Sequence, residues 1–276
     1  MMQSQFVTLR SWFTPLVLAA ALAITACSSA KPLDPAERPV EDLYNDAMNE
    51  LLVGSPLLAA TKFDEVERQH PYSVWANKAQ LMSAYSYYTL NRYIESVTAL
   101  DRFIRLHPGS REVPYARYLR ALGFYEQITD VGRDQANTVQ ALKYLKDVVK
   151  RYPNSKYARD ARVKIDLTYD QLAGKEMQVG RFYIKRGHYA AAINRFRTVI
   201  EKYQTTSHVP EALHRLTESF LALGIKDEAQ TAAAVLGHNF PGSEWYSDSY
   251  SLITGVNLQP KVKKGSWISR TWNSVF

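Results

Sequence analysis

The sequence predicts an all-α solenoid of about five stacked helix-turn-helix repeats, with one long linking helix between repeats three and four. Three observations lead there. A short stop-and-start phrase recurs five times, an apolar stripe of helical period precedes each later phrase, and small residues recur where paired helices must approach closely.

The phrase is His70-Pro71-Tyr72-Ser73, His107-Pro108-Gly109-Ser110, Tyr152-Pro153-Asn154-Ser155, Tyr203-Gln204-Thr205-Thr206-Ser207 and Phe240-Pro241-Gly242-Ser243. Proline cannot continue the helix before it, and a serine two or three residues on is a favoured N-cap for the next helix. The central positions 71, 108, 153, 204 and 241 lie 37, 45, 51 and 37 residues apart. A period of 34 to 37 with this punctuation is that of tetratricopeptide repeats.

Aligned on the phrase, the second helix of each repeat carries a stripe spaced four and then three. The stripe reads Ala59, Phe63, Val66; Ser96, Leu100, Phe103; Ala141, Leu145, Val148; Ala192, Phe196, Val199; and Ala229, Ala233, Leu236. First helices place Ala47, Ala84, Ala121 and Gly180 at the close contact. Such units bury their apolar faces only by stacking, which gives a concave and a convex side.

The two irregular spacings locate insertions. Eight extra residues near Thr129–Ala136 are polar and read as a longer loop. Fourteen more fall between Tyr157 and Gly187 in helix-compatible sequence, close to four turns, so one helix of about 28 residues keeps its packing face in register. A break at Gly174 is the competing expectation.

The N-terminus reads as an address. Residues 1–33 contain no acid, Arg10 is the basic start, and Trp12–Ile24 is an apolar run of signal-peptide length, too short for a bilayer span. It ends in Ile24-Thr25-Ala26-Cys27, which resembles a lipobox. The resemblance implies cleavage after residue 26, a covalent lipid on Cys27, and, from Ser28, sorting to the outer membrane. Residues 27–39 then form a proline-bearing tether. A single cysteine excludes an internal disulfide and a thiolate zinc site. Without residues 1–26 there are 33 basic and 27 acidic residues, a net charge of +6. For an exported chain this favours acidic protein surfaces or anionic lipid over nucleic acid, beside an ordinary solvated basic face.

With these repeats come the stretches Asp101-Arg102-Phe103-Ile104-Arg105-Leu106, Tyr152-Pro153-Asn154-Ser155-Lys156-Tyr157 and Arg181-Phe182-Tyr183-Ile184-Lys185-Arg186-Gly187 running into Ile193-Asn194-Arg195. Over about residues 27–255 the chain resembles the BamD family, lipoproteins of the Bam machine that inserts β-barrel proteins into the bacterial outer membrane. The resemblance implies a non-enzymatic scaffold without cofactor. Its N-terminal repeats (40–156) would receive unfolded outer-membrane proteins. Its long helix and C-terminal repeats (157–255) would bind the last POTRA domain of the barrel subunit BamA, and other Bam lipoproteins would dock along it. Arg195, an arginine after asparagine as in the family pattern, is the candidate BamA-facing residue.

Independently, counting along the first helices puts Tyr44, Met48, Tyr85, Tyr88, Tyr118 and Tyr125 on the concave side. A tyrosine offers a broad apolar face with a polar tip, suited to gripping an extended segment. Filling of the helix seams is the alternative reading of the same stripe.

Enzyme signatures are thin. Glu95-Ser96 and Glu218-Ser219 are the pairs a lytic transglycosylase reading would need, and both lie within repeat helices. No His-Glu-x-x-His, G-x-S-x-G or phosphate loop occurs. An interaction lipoprotein of the cell wall or division machinery is the alternative function. Residues 256–276 read as a basic linker and a short aromatic segment with Trp267, Ile268, Trp272 and Val275 on one face. Ten residues are too few to hold a helix without a partner, so flexibility is the expectation.

Overall fold

The computed structural model describes residues 38–273. The described chain is built of α-helices in chain order: α1 (Val40–Leu52), α2 (Pro56–Gln69), α3 (Val74–Thr89), α4 (Tyr93–Leu106), α5 (Val113–Tyr125), α6 (Ala136–Arg151), α7 (Lys156–Lys185), α8 (Tyr189–Lys202), α9 (Val209–Ala222), α10 (Lys226–Asn239), α11 (Glu244–Gly255) and α12 (Trp267–Asn273).

Five helices end in one geometry because they end in one phrase. His70, His107, Tyr152, Tyr203 and Phe240 are the C-caps of α2, α4, α6, α8 and α10, with φ between −134° and −126° and ψ between 41° and 59°. Each cap carbonyl accepts from the backbone N–H three residues on, at 3.0–3.1 Å. Proline at the next position disfavours α backbone at four of these caps. The fifth, before Gln204, adopts the same turn without it. The serines divide in use. Ser73 and Ser155 cap α3 and α7 through hydrogen bonds from Trp75 N–H and Ala158 N–H, as expected. Ser110 accepts from Glu112 N–H ahead of α5, Ser243 caps without a side-chain bond, and Ser207 turns its hydroxyl to Asp170. At the turns inside the helix pairs, Gly54, Gly187 and Gly224 are left-handed, and Asn91 takes the same conformation at φ 59°.

Every residue of the second-helix stripe is buried, as are Ala47, Ala84, Ala121 and Gly180 opposite. Neighbouring first helices touch, α1 on α3, α3 on α5 and α5 on α7, while successive second helices keep further apart. That asymmetry curves the stack and puts the first helices on the inside.

α7 is a single 30-residue helix. Its first half closes a core with Ala121, Leu145 and Val148, and Ala173 and Met177 in its second half join the core of α8–α10. Gly174 does not break it. A Cβ there would stand 3.2 Å from Val131 and 3.3 Å from His208, so the glycine makes room for the 126–135 loop and the α8–α9 turn. That loop is tied to α7 by Gln171 Nε2 donating to Thr129 O (2.6 Å) and Lys175 Nζ to Gly132 O (3.0 Å).

The C-terminal segment departs from expectation. It folds back, and α12 packs on α10 and α8, with Ile268 fully buried and Trp272 and Trp267 packed against the same core. Lys263 N–H donates to Thr231 Oγ1 (3.0 Å), Ser266 Oγ to Glu228 Oε2 (2.5 Å), and Arg197 lies 4.7 Å from the Trp267 ring centroid. A seven-residue helix cannot stand alone. Its partner here is the chain itself.

Candidate functional site

The inner face of the first three helix pairs is a sheet of aromatic rings. Tyr44 on α1 packs on Phe63 (centroids 5.4 Å apart) and Trp75 (4.8 Å), with Met48 in the same cluster. Tyr85 and Tyr88 on α3 cover the core of Leu81, Leu100 and Leu119. Tyr88 Oη donates to Glu126 Oε1 (3.1 Å), and its ring meets Tyr93 at 5.6 Å. Tyr118 stacks on Tyr157 at 5.4 Å and donates its hydroxyl to Asp160, while Tyr115 also meets Tyr157, tilted, at 5.6 Å. Tyr125 lies under Lys164 Nζ, 5.5 Å from its ring, and borders a hollow of about 450 Å³ with Ile128, Leu167 and Gln171.

All six sequence-derived residues are half-buried. Each is thus partly covered by its neighbours and partly exposed, which does not separate the groove expectation from the seam expectation. Three aromatics of the same face, Trp75, Tyr115 and Tyr157, were missed. For Trp75 and Tyr157 the signal was present: Ser73-Val-Trp75, Ser155-Lys-Tyr157 and Ser243-Glu-Trp245 each put an aromatic two residues after the phrase's serine, in the first turn of a first helix, whereas Tyr115 stands five residues after Ser110.

Tyr88, Tyr115 and Tyr118 stay protonated. Burial, then Glu126, raises Tyr88; burial, then Asp160, raises Tyr118. Burial with Tyr85 and Tyr157 nearby pushes Tyr115 up to about 12. At physiological pH Tyr88 and Tyr118 are neutral donors whose hydroxyls are already engaged on Glu126 and Asp160, so what these two offer a ligand is ring surface.

The C-terminal pairs present ions instead. Arg181 forks Glu211 with Nε and Nη2 each 2.8 Å from a carboxylate oxygen, and Arg215 reaches Glu218 at 2.8 Å and Glu211 at 3.6 Å. Arg195 is half-exposed on α8 and contacts Glu176 on α7 at 3.3 Å, so it lies on the second-helix side, away from the tyrosine face. His214 is buried, its Nδ1 2.9 Å from Ser249 Oγ, and burial, then Arg215, lowers its pKa.

The two Glu-Ser pairs are absorbed by structure. Ser96 Oγ donates to Ala84 O within the core, Ser219 is buried, and Glu95 and Glu218 pair with Arg92 and Arg215. Among the described residues there is no group of three or more potential metal ligands, and no helix is long and apolar enough to cross a membrane. Cys27, the expected lipid site, lies outside the described residues.

A family model described as "Outer membrane lipoprotein" matches residues 36–236. The chain is 52% identical over 249 residues to the outer membrane protein assembly factor BamD of Caulobacter vibrioides, covering 90% of this chain and 82% of that one. It is 44% identical to the BamD of Rickettsia prowazekii (86% and 94%) and 33% identical to that of Neisseria meningitidis serogroup A (85% and 94%). Among solved structures, a thermophilic TPR protein of Thermus thermophilus aligns over 78% of this chain and all of its own, with a TM-score of 0.34 and 17% identity. Matched along most of its length by the family model and by relatives at this level of identity, the chain belongs to the BamD family of outer-membrane lipoproteins.

Proposed function

We propose that this chain is a non-enzymatic scaffold of outer-membrane protein assembly, held at the membrane by a lipid on Cys27 and facing the periplasm. It would work by binding on two surfaces. The tyrosine face of α1, α3 and α5, joined by Tyr157 of α7, receives extended segments of unfolded outer-membrane proteins. The pairs from α7 to α11 meet a POTRA domain of the barrel subunit BamA, with Arg195 on that side and other Bam lipoproteins docked along the solenoid. The naming of relatives up to 52% identical as assembly factors carries the reading, and the continuity of the ring surface supports its substrate side. Rings held by neighbours present apolar area at little entropic cost, which suits a changing set of extended ligands.

Gentle detergent extraction of the tagged chain, with identification of what stays attached, tests the reading. Recovery of the barrel subunit with further lipoproteins is expected. Recovery of cell-wall or division proteins in their place would overturn it. A Cys27→Ser chain is expected to leave the membrane fraction.

A further inference from the structure

We propose that the edge of the solenoid carrying the turns between helix pairs is a membrane-facing surface that binds anionic phospholipid headgroups. This rests on the reading of Cys27 as lipid-bearing for its orientation, and on the structure for its chemistry.

The orientation comes from where the chain enters the fold. Arg38 is pinned to the α2–α3 turn: its N–H donates to Gln69 Oε1 (3.3 Å), its carbonyl lies 2.7 Å from His70 Nε2, and its guanidinium pairs with Asp46 (2.8 Å). The ten residues between Cys27 and Arg38 span at most ~36 Å. An anchor at 27 therefore holds this edge near the bilayer. The turns at 107–112 and 152–155 lie on the same edge, because first and second helices alternate in direction along the stack.

The charge of that edge fits a polyanionic sheet. Arg105, Arg111, Lys150, Lys156 and Arg159 are exposed, and none enters an ion pair among the described residues. Around the 105–112 and 150–159 turns the acids are few or engaged: Asp147 holds Arg117 and Arg151, and Asp160 holds Lys164 and the Tyr118 hydroxyl, leaving Glu112, while Asp42 and Glu244 lie toward the two ends of the edge. At the opposite edge Arg92 is bridged to Glu95, and the 126–135 loop carries Glu126, Asp130 and Asp134 against one arginine. Apolar groups complete the surface. Tyr72 in the α2–α3 turn is fully exposed, Val74 is 74% exposed and Leu106 51%. A tyrosine and aliphatic groups among lysines and arginines match the interfacial zone of a bilayer, where rings sit at headgroup depth and cations meet phosphates.

The test uses the chain from residue 28 onward, which retains the whole folded body and carries no lipid. It is sedimented with vesicles of phosphatidylethanolamine and phosphatidylglycerol, and with phosphatidylcholine vesicles. Binding to the anionic vesicles alone, weakened by salt, is expected. R105E/R111E/K150E/K156E lowers the partition coefficient at least ~tenfold, and the quadruple Gln variant falls between it and the parent. A control variant with Arg133, Lys185, Arg186 and Lys226 changed to Glu, on the opposite edge, keeps parental binding. Circular dichroism verifies each fold. The proposal is overturned if the parent ignores anionic vesicles, if both quadruple variants bind like it, or if the control loses as much. Loss of Cys27 acylation in cells would leave this result untouched, so the two readings fail separately.

Discussion

Gly180 on α7 lies flat against the ring of Phe196 on α8: a Cβ built at 180 would stand 2.4 Å from Phe196 Cε1 and 2.6 Å from Cζ. The ring is fully buried and central to the core that joins α8 to α9 and α10, so it has nowhere to retreat. Gly180→Ala improves helix propensity by about 1 kcal/mol, yet the overlap is with a closed core. The expected net result is a loss of about 1–3 kcal/mol, a fall in Tm of several degrees by thermal circular dichroism. An unchanged or higher Tm would refute the packing argument.

Acid should weaken the C-terminal pairs in two separate windows. Burial alone would raise Glu211, but the Arg181 fork and Arg215 together outweigh it and leave the carboxyl below its ordinary 4.5. A depressed carboxylate contributes stability that is present above its unfolded pKa and lost as pH falls through the folded one. His214 is lowered from 6.5, chiefly by burial, so the unfolded chain takes up its proton first and stability starts to fall as pH drops below 6.5. Melting curves from pH 8 to 3 are expected to show both. H214Q removes the slope beginning near 6.5, and E211Q costs about 1–3 kcal/mol at pH 7 with a difference from the parent that shrinks below 4.5. If H214Q retains the full slope, the assignment to His214 fails.

Replacing Tyr85 and Tyr88 separates ring surface from hydroxyl. The Tyr88 hydroxyl is spent on Glu126, so Phe at both positions preserves the ligand-facing surface and loses one internal hydrogen bond. Photo-crosslinking to an aromatic-ended extended peptide is expected to be retained by the double Phe variant. The double Ala variant, which removes two ring faces, is expected to lose most of it, about tenfold in affinity. Because both rings also cover the Leu81–Leu100 core, the Ala variant melts earlier, and binding is compared well below its Tm. Equal binding by the Ala variant with an intact helical spectrum would remove this face as the substrate surface.

What sequence made legible here is what repeats locally. Fifteen stripe positions from Ala59 to Leu236 are buried because a four-then-three spacing on one helix admits a single packing face. The length of α7 followed from the same periodicity, since fourteen residues return the face to register. What periodicity left unexplained is why a glycine stands at 174 in an unbroken helix, because its reason, contact with Val131 and His208, lies more than thirty residues away in either direction. The five tyrosines and Met48 were placed on one face, but their share in the seams depends on the distance between adjacent first helices, and periodicity does not encode that.

The C-terminal segment escaped for the same reason, since its partners Asp227, Glu228, Gln230 and Thr231 belong to α10. It also yields the last prediction. Trp272 is 7% exposed and its ring meets Phe240 edge-on at 6.1 Å, while Ile268 beside it is sealed in the same core. Truncating both, Ile268→Ala with Trp272→Ala, removes most of the apolar area that holds a seven-residue helix too short to persist alone. The remaining ties are the half-exposed Lys263–Asp227 ion pair, the hydrogen bonds of Ser266 to Glu228, Lys263 N–H to Thr231 and Gln230 to Gln259 O, and the partly buried Trp267 ring. The helix is therefore expected to detach while the solenoid stays folded. Limited trypsin digestion reads this directly, with cleavage at Lys263, Lys264 and Arg270 accelerating at least ~tenfold over the parent while cleavage within α1–α10 is unchanged. If the double variant is cut no faster than the parent, ring and aliphatic burial do not hold the segment.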